Sequence, residues 1–235
     1  MKLSPEIPAT GAQGVIVDIS TLLNMREPNI QQDIATGRDP RVGVGLTRED
    51  IVPHFGEPAQ TFYPNVFGKR LPWILVQGFF LERNSQFPRR LHPGTLALLD
   101  TLQTRDIPVG LVTVCSRTVA ERHIADHNNI SPDQLLGRFA TTWFGEDIAN
   151  PETQLQPYGH LLDQALSKSS LGTDGIMVVG TEPSSQRAAL EHDLPFIAMT
   201  TDLTTAAKFE GQGNTPVVND LYAVQRLLLG QTHST

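Results

Sequence analysis

Five short runs of consecutive apolar residues punctuate the chain: Gly14-Val15-Ile16-Val17-Asp18, Pro108-Val109-Gly110-Leu111-Val112-Thr113, Ile176-Met177-Val178-Val179-Gly180, Phe196-Ile197-Ala198-Met199 and Pro216-Val217-Val218. None alternates apolar with polar residues, which is the mark of strands in a parallel sheet covered on both faces. Between the runs the period changes to that of helices. Residues 93–106 set Leu96, Leu99 and Leu102 on one face, and 117–128, 158–168, 184–191 and 220–229 also carry helical spacing. Strands alternating with helices predict a doubly wound α/β fold, because right-handed crossovers between parallel strands lay helices on both faces of the sheet.

Residues 24–92 break this rhythm. They hold Pro28, Pro40, Pro53, Pro58, Pro64, Pro72 and Pro88 and one candidate buried run, 73–76. We read them as an insertion after the first strand, a cap on a core made of residues 1–23 and 93–235. The insertion also differs in charge. It carries nine Lys and Arg against seven Asp and Glu, leaving nine against eighteen in the remainder. Its Lys69, Arg70, Arg83, Arg89 and Arg90 lie among Trp73, Phe79, Phe80 and Phe87. Arginine beside aromatics is the composition enriched at protein interfaces. The cap is therefore expected to present a surface for a protein partner or for a second copy of the chain.

At 235 residues and 39% hydrophobic, the chain is long enough for a substantial core. Its net charge of -7 lacks the basic footprint of a nucleic-acid binder. One cysteine, Cys115, allows neither an intrachain disulfide nor a thiolate metal cluster. Residues 1–13 offer no apolar run of the length an export signal uses, and no stretch reaches the roughly 20 apolar residues that span a bilayer. The expectation is a soluble, cytoplasmic protein without nucleic-acid or membrane partners.

Ligands of open parallel sheets bind at the carboxyl ends of the strands. The residues to read there are Asp18, Thr113, and Thr181 with Glu182. A carboxylate following Val-Ile-Val directly is placed to act as a nucleophile or a metal ligand, or simply to cap the next helix. Cys115 is read as a buried, inert thiol. Gly43-Val44-Gly45, which lacks the third glycine of a dinucleotide fingerprint, is read as a turn.

The stretch Asp18-Ile19-Ser20-Thr21-Leu22-Leu23, after its apolar strand, resembles the first motif of the haloacid dehalogenase-like superfamily, Asp-x-Asp-Gly-Thr-Leu. Residues 92–113, ending in Thr113, are similar to that family's helix and second motif. Residues 139–148, with Gly145-Glu146-Asp147, resemble the loop before its third motif, and Gln156-Pro157 falls where the family has Lys-Pro. Ile176-Met177-Val178-Val179-Gly180 followed by Ala188-Ala189 matches the frame of the fourth. The resemblance implies a doubly wound, Rossmann-like core with an inserted cap. It also implies a phosphatase site in which the first Asp attacks phosphorus and the second is general acid and base. Thr or Ser and Lys then hold the phosphoryl group, and a fourth-motif acid binds Mg²⁺.

Carried over residue by residue, Asp18 and Thr113 match. Ser20 replaces the second Asp, Gln156 the Lys, and Thr181 and Ser185 the fourth-motif acids. A missing general acid costs about 10² to 10⁴ in rate. Gln156 brings no charge to a phosphoryl dianion, and Mg²⁺ prefers at least one or two carboxylates. Glu182, one residue beyond the expected acid, is the candidate to join Asp18 as a metal ligand if a Mg²⁺ site survives. The superfamily's metal-free dehalogenases also lack the second Asp but keep the Lys, and Lys168, the nearest lysine to Gln156, fits a helix end better. The sequence thus predicts a catalytically degenerate member that binds, with a small anionic ligand in the cleft between core and cap and no required cofactor. The alternative is an active hydrolase of the same fold using Asp18 as nucleophile, either a phosphatase of a small metabolite or a metal-independent, dehalogenase-like enzyme.

Overall fold

Six parallel strands form the centre of the molecule in the order β5-β4-β1-β6-β7-β8. They are β1 (Gly14–Asp18), β4 (Val109–Val112), β5 (Thr141–Trp143), β6 (Ile176–Gly180), β7 (Phe196–Met199) and β8 (Val217–Val218). The computed structural model describes residues 5–24, 34–54, 64–68, 90–125, 129–147, 157–168, 171, 174–200, 209 and 215–231. Lys69, Arg70, Trp73, Phe79, Phe80, Arg83, Phe87 and Arg89, which the sequence reading assigns to a cap, and the run 73–76 lie outside them.

The continuous apolar runs are explained by burial on both sides of the sheet. Val15 and Val17 of β1, with Leu111, Met177, Val179 and Ile197, belong to one hydrophobic cluster. Ile16, Val112, Val178 and Phe196, the alternate residues, belong to another. The first cluster is covered by α3 (Thr95–Thr104), α4 (Arg117–Ala125), α5 (Pro132–Leu136) and α8 (Leu221–Leu228); the second is covered by α6 (Pro157–Lys168) and α7 (Pro183–Glu191). Each fully buried Leu, Ile or Val contributes about 2 kcal/mol relative to exposure, so a polar substitution on either face of β1 would be severe. In α3 the buried face is Leu98, Leu99 and Leu102, while Leu96 is exposed. This corrects the expectation for Leu96: the buried face of the helix is formed by Thr95, Leu98, Leu99 and Leu102, and at about 100° per residue Leu96 falls outside it.

β5 and α5 were not anticipated. Residues 139–148 hold a three-residue edge strand, paired with β4 through Gly110 and Thr141, rather than loop alone. α5 is a single turn and a half, started by Ser131, whose hydroxyl accepts from the Gln134 N–H while the Gln134 side chain accepts from the Ser131 N–H.

The two ends of the stretch read as an insertion are tied together. β2 (Leu23–Asn24) and β3 (Arg90–Leu91) pair antiparallel, Leu23 opposite Leu91 and Asn24 opposite Arg90. The His92 N–H and the Thr95 hydroxyl both donate to the Leu22 carbonyl, at 2.7 and 3.1 Å. Chain departure and return are thus fixed beside the end of β1. Within the insertion, α2 (Arg48–Ile51) is closed by a capping box in which the Thr47 hydroxyl and N–H donate to Asp50. Those two bonds hold the Asp50 carboxyl below its ordinary value. Gly43 has φ +69° and directly follows the turn at 40–42, so the turn read at Gly43-Val44-Gly45 lies just before those residues.

Candidate functional site

The strand order turns round at β1: from it the chain builds outward through β4 and β5 on one side and through β6, β7 and β8 on the other. Helices therefore leave opposite faces at the β1–β6 boundary, which opens the crevice where ligands of such sheets bind. The register sets Val17 beside Val179, which brings the residues just beyond both strands together.

Asp18 sits in that crevice, 5% exposed. It is the N-cap of α1 (Ile19–Leu22), and its Oδ1 accepts the Ser20 N–H at 2.8 Å and the Ser20 hydroxyl at 2.9 Å. Ser20 Oγ also lies 2.7 Å from Thr181 Oγ1. Because the single Ser20 hydroxyl proton points to the carboxylate, Thr181 is the donor in the second bond. The result is a directed chain from Thr181 through Ser20 to Asp18, joining residues 161 positions apart. Nothing in local sequence signals it. Only the parallel pairing of β1 with β6 creates the contact.

Thr113 follows β4, the neighbour of β1 on the other side, and is 1% exposed. Its hydroxyl accepts the Cys115 N–H at 3.3 Å. Beside it the Arg117 guanidinium lies 4.5 Å from the centre of the buried Phe144 ring. The Arg117 and Phe144 pair was not foreseen, since neither belongs to a strand end legible in the sequence. Cys115 is half-buried rather than buried, because the turn leading into α4 leaves it at the mouth of the sheet.

Glu182 is the N-cap residue of α7, and its carboxylate accepts the Ser184 hydroxyl at 3.3 Å. Ser185 donates to the Glu182 carbonyl at 2.7 Å. Gln156 lies outside the described residues. Lys168, in the last turn of α6, holds its Nζ 5.6 Å from the centre of the Trp143 ring.

The structure thus brings Asp18, Ser20 and Thr181 into contact, sets Thr113 at the adjoining strand end, and ties Glu182 into the cap of α7. Mg²⁺ takes near-octahedral oxygen ligands and usually draws on carboxylates. Among the described residues no three His, Cys, Asp or Glu side chains converge. The hydroxyls nearest Asp18 are neutral and bonded to each other. This donor set does not fit the cation that the resemblance implies.

No family model matches the chain, and no curated protein matches it in sequence. Solved structures do match its shape. A protein of Bacteroides fragilis assigned as a haloacid dehalogenase-like hydrolase aligns with TM-score 0.72 at 16% identity, covering 91% of this chain and 99% of that one. One of Lactobacillus plantarum assigned as a phosphoglycolate phosphatase gives 0.70 at 16% identity, covering 92% and 99%. CbbY of Rhodobacter sphaeroides, in complex with phosphate, gives 0.68 at 15% identity, covering 88% and 93%. With the strand order and the position of Asp18, these likenesses establish that the chain has the haloacid dehalogenase-like fold.

Proposed function

We propose that this protein is a haloacid dehalogenase-like fold that has given up phosphoryl transfer and acts by binding. The observation that carries the reading is the chain from Thr181 through Ser20 to Asp18. Ser20 donates its proton to Asp18 and, at its free pKa, is no acid for a leaving alkoxide, so the general-acid contribution of about 10² to 10⁴ is missing. A phosphoryl dianion brought to Asp18 would face a carboxylate with no metal between them. Like charges about 4 Å apart repel by about 4 kcal/mol at an effective dielectric of 20.

The persistence of Asp18 and Thr113 does not argue against this. Each accepts the backbone N–H two residues on, from Ser20 and Cys115, and so has work in the fold without any chemistry. For the ligand, we propose a small molecule whose anionic end is held by basic residues of the cap and whose uncharged end meets the mouth of the sheet. The same basic and aromatic composition supports a protein partner or self-association through the cap.

The rival reading is an active hydrolase with Asp18 as nucleophile, favoured by Asp18 and Thr113 standing at adjoining strand ends. A panel of phosphate monoesters and haloacids, run with and without Mg²⁺ on wild type and Asp18→Asn, decides between them. We expect no turnover above the Asp18→Asn background; turnover that Asp18→Asn abolishes overturns the binding reading.

A further inference from the structure

We propose that the crevice between β1 and β6 is a divalent-cation site closed by substitution, in which Ser20 and Thr181 bond to each other in place of a metal, so that the protein meets its ligand without Mg²⁺. The inference concerns the cation alone and stands whether or not the site turns over a substrate.

Two side-chain oxygens 2.7 Å apart, beside the Asp18 carboxylate, could not both belong to carboxylates unless a cation or proton lay among them. Two hydroxyls remove that requirement. The Thr181 proton goes to Ser20 and the Ser20 proton goes to Asp18, so both protons are used and both bonds are made. The bond to a carboxylate is charge-assisted and the stronger of the two. A cation entering this space would have to break that chain and, beyond the one carboxylate of Asp18, would gain only neutral oxygens in return.

Ser185 points the same way. It stands at the other fourth-motif position, and its hydroxyl proton goes to the Glu182 carbonyl at 2.7 Å, inside the first turn of α7. All three positions at which the resemblance would supply an extra acid therefore carry hydroxyls whose protons are used within the protein. The Glu182 carboxylate meanwhile accepts from Ser184.

The test restores the charge. Ser20→Asp with Thr181→Asp, and Thr181→Asp alone, are melted with and without Mg²⁺ beside wild type, with circular dichroism confirming the fold and calorimetric titration with MgCl₂ as a second readout. Wild type is expected to show no Mg²⁺ shift, and the double variant to rise by roughly 5–10 °C at a hundredfold excess over its Kd. Thr181→Val, which breaks the chain without adding charge, should gain nothing. A Mg²⁺-dependent rise in wild type that Asp18→Asn removes overturns the proposal, as does a folded double variant that binds no Mg²⁺. If the double variant does not fold, Thr181→Asp alone decides, with gain of Mg²⁺ binding as the supporting result. If neither folds, the wild-type titration decides. Metal-free turnover would defeat the binding reading and leave this proposal intact; Mg²⁺ binding without turnover would do the reverse.

Discussion

The two halves of the sheet's mouth are built differently. Where β1 meets β6, the contact is made by side chains: Thr181, Ser20 and Asp18 bond through hydroxyls and a carboxylate. Where β4 meets β5, it is made largely by backbone. The Thr113 N–H donates to the Trp143 carbonyl at 3.0 Å and the Gly145 N–H to the Cys115 carbonyl at 2.8 Å, while the Phe144 N–H reaches the Asp147 carboxylate at 2.7 Å. Side-chain contacts can be rewritten one residue at a time, because a new polar pair needs only to satisfy itself. Backbone contacts cannot. Ser20 and Thr181, where the resemblance implies acids, stand at the first boundary beside Asp18, while Thr113 stands at the second, where its hydroxyl accepts a backbone N–H of the turn.

The sharpest way to break this comparison is to add one methyl group on each side. At Gly145 an added Cβ would lie 3.0 Å from the Val114 carbonyl carbon, with the carbonyl oxygen nearer still. Neither atom can move without moving the turn. At Gly180 the closest atom would be the Ser185 hydroxyl oxygen, the end of a side chain that can rotate, with the Phe196 ring at 3.1 Å. We expect Gly145→Ala to cost about 2–3 kcal/mol, lowering the melting midpoint by roughly 4–12 °C, and Gly180→Ala to cost about half as much. Thermal melts of the two variants check this. If Gly180→Ala proves the more damaging, the side chains packed at the end of β6, Ser185 and Phe196, are the less adaptable contact and the comparison is inverted.

A second, smaller effect separates architecture from chemistry at Asp18. Asp18→Ala removes the N-cap acceptor of α1 and strands the Ser20 hydroxyl, and is expected to cost about 1–2 kcal/mol. Asp18→Asn keeps an acceptor oxygen and should cost only a few tenths of that, with no change in turnover on the substrate panel. Chemical denaturation of both variants measures the difference. Should Asp18→Ala leave stability untouched, the carboxylate has no structural work, and its presence argues for catalysis after all.

The fold was legible wherever burial dictates composition. β1, β4, β6 and β7 announce themselves because both faces are covered, which forces continuous apolar runs, whereas the apolar pair of β8 stands at the sheet's edge with Val217 exposed and Val218 half-buried. β5 does not announce itself: it is an edge strand of three half-buried residues, Thr141, Thr142 and Trp143, of which only Trp143 packs against the core. α5 does carry a local signal, since Ser131, Pro132 and Gln134 form a helix start in sequence, but at five residues it is too short to show a helical period. The β2–β3 ribbon is two residues a side, too short for any period. Asp18 was placed by the apolar strand before it. Its link to Thr181 was invisible, because which strands become neighbours is decided by the packing of the whole sheet rather than by any local pattern.

The hydroxyl chain can be measured directly. In a double-mutant cycle, Ser20→Ala and Thr181→Val should be coupled by about 0.5–1.5 kcal/mol, the net worth of one hydrogen bond shielded from water. Ser20→Ala with Thr113→Val should add without coupling, since Thr113 bonds to the Cys115 backbone on the far side of β1. Urea unfolding of the six proteins gives both numbers. Additivity in the first pair would mean that the 2.7 Å contact contributes nothing to the folded state, and the side-chain half of the comparison would fail.

The smallest effect concerns Lys168, the nearest lysine to Gln156 in the sequence. Two structural jobs account for it. It lies in the last turn of α6, where a cation meets the negative end of the helix, and its Nζ stands 5.6 Å from the centre of the Trp143 ring. Lys168→Gln should therefore cost about 0.5–1 kcal/mol, with the helix-end share fading at high salt as the charge is screened. Trp143 reports on this contact in a Trp73→Phe background, where it is the remaining tryptophan. Its emission should change on Lys168→Gln and be indifferent to added orthophosphate in both proteins. A phosphate-dependent change that Lys168→Gln abolishes would mean that this lysine reaches the ligand and supplies the charge that Gln156 lacks. The β4–β5 boundary would then hold chemistry as well as architecture.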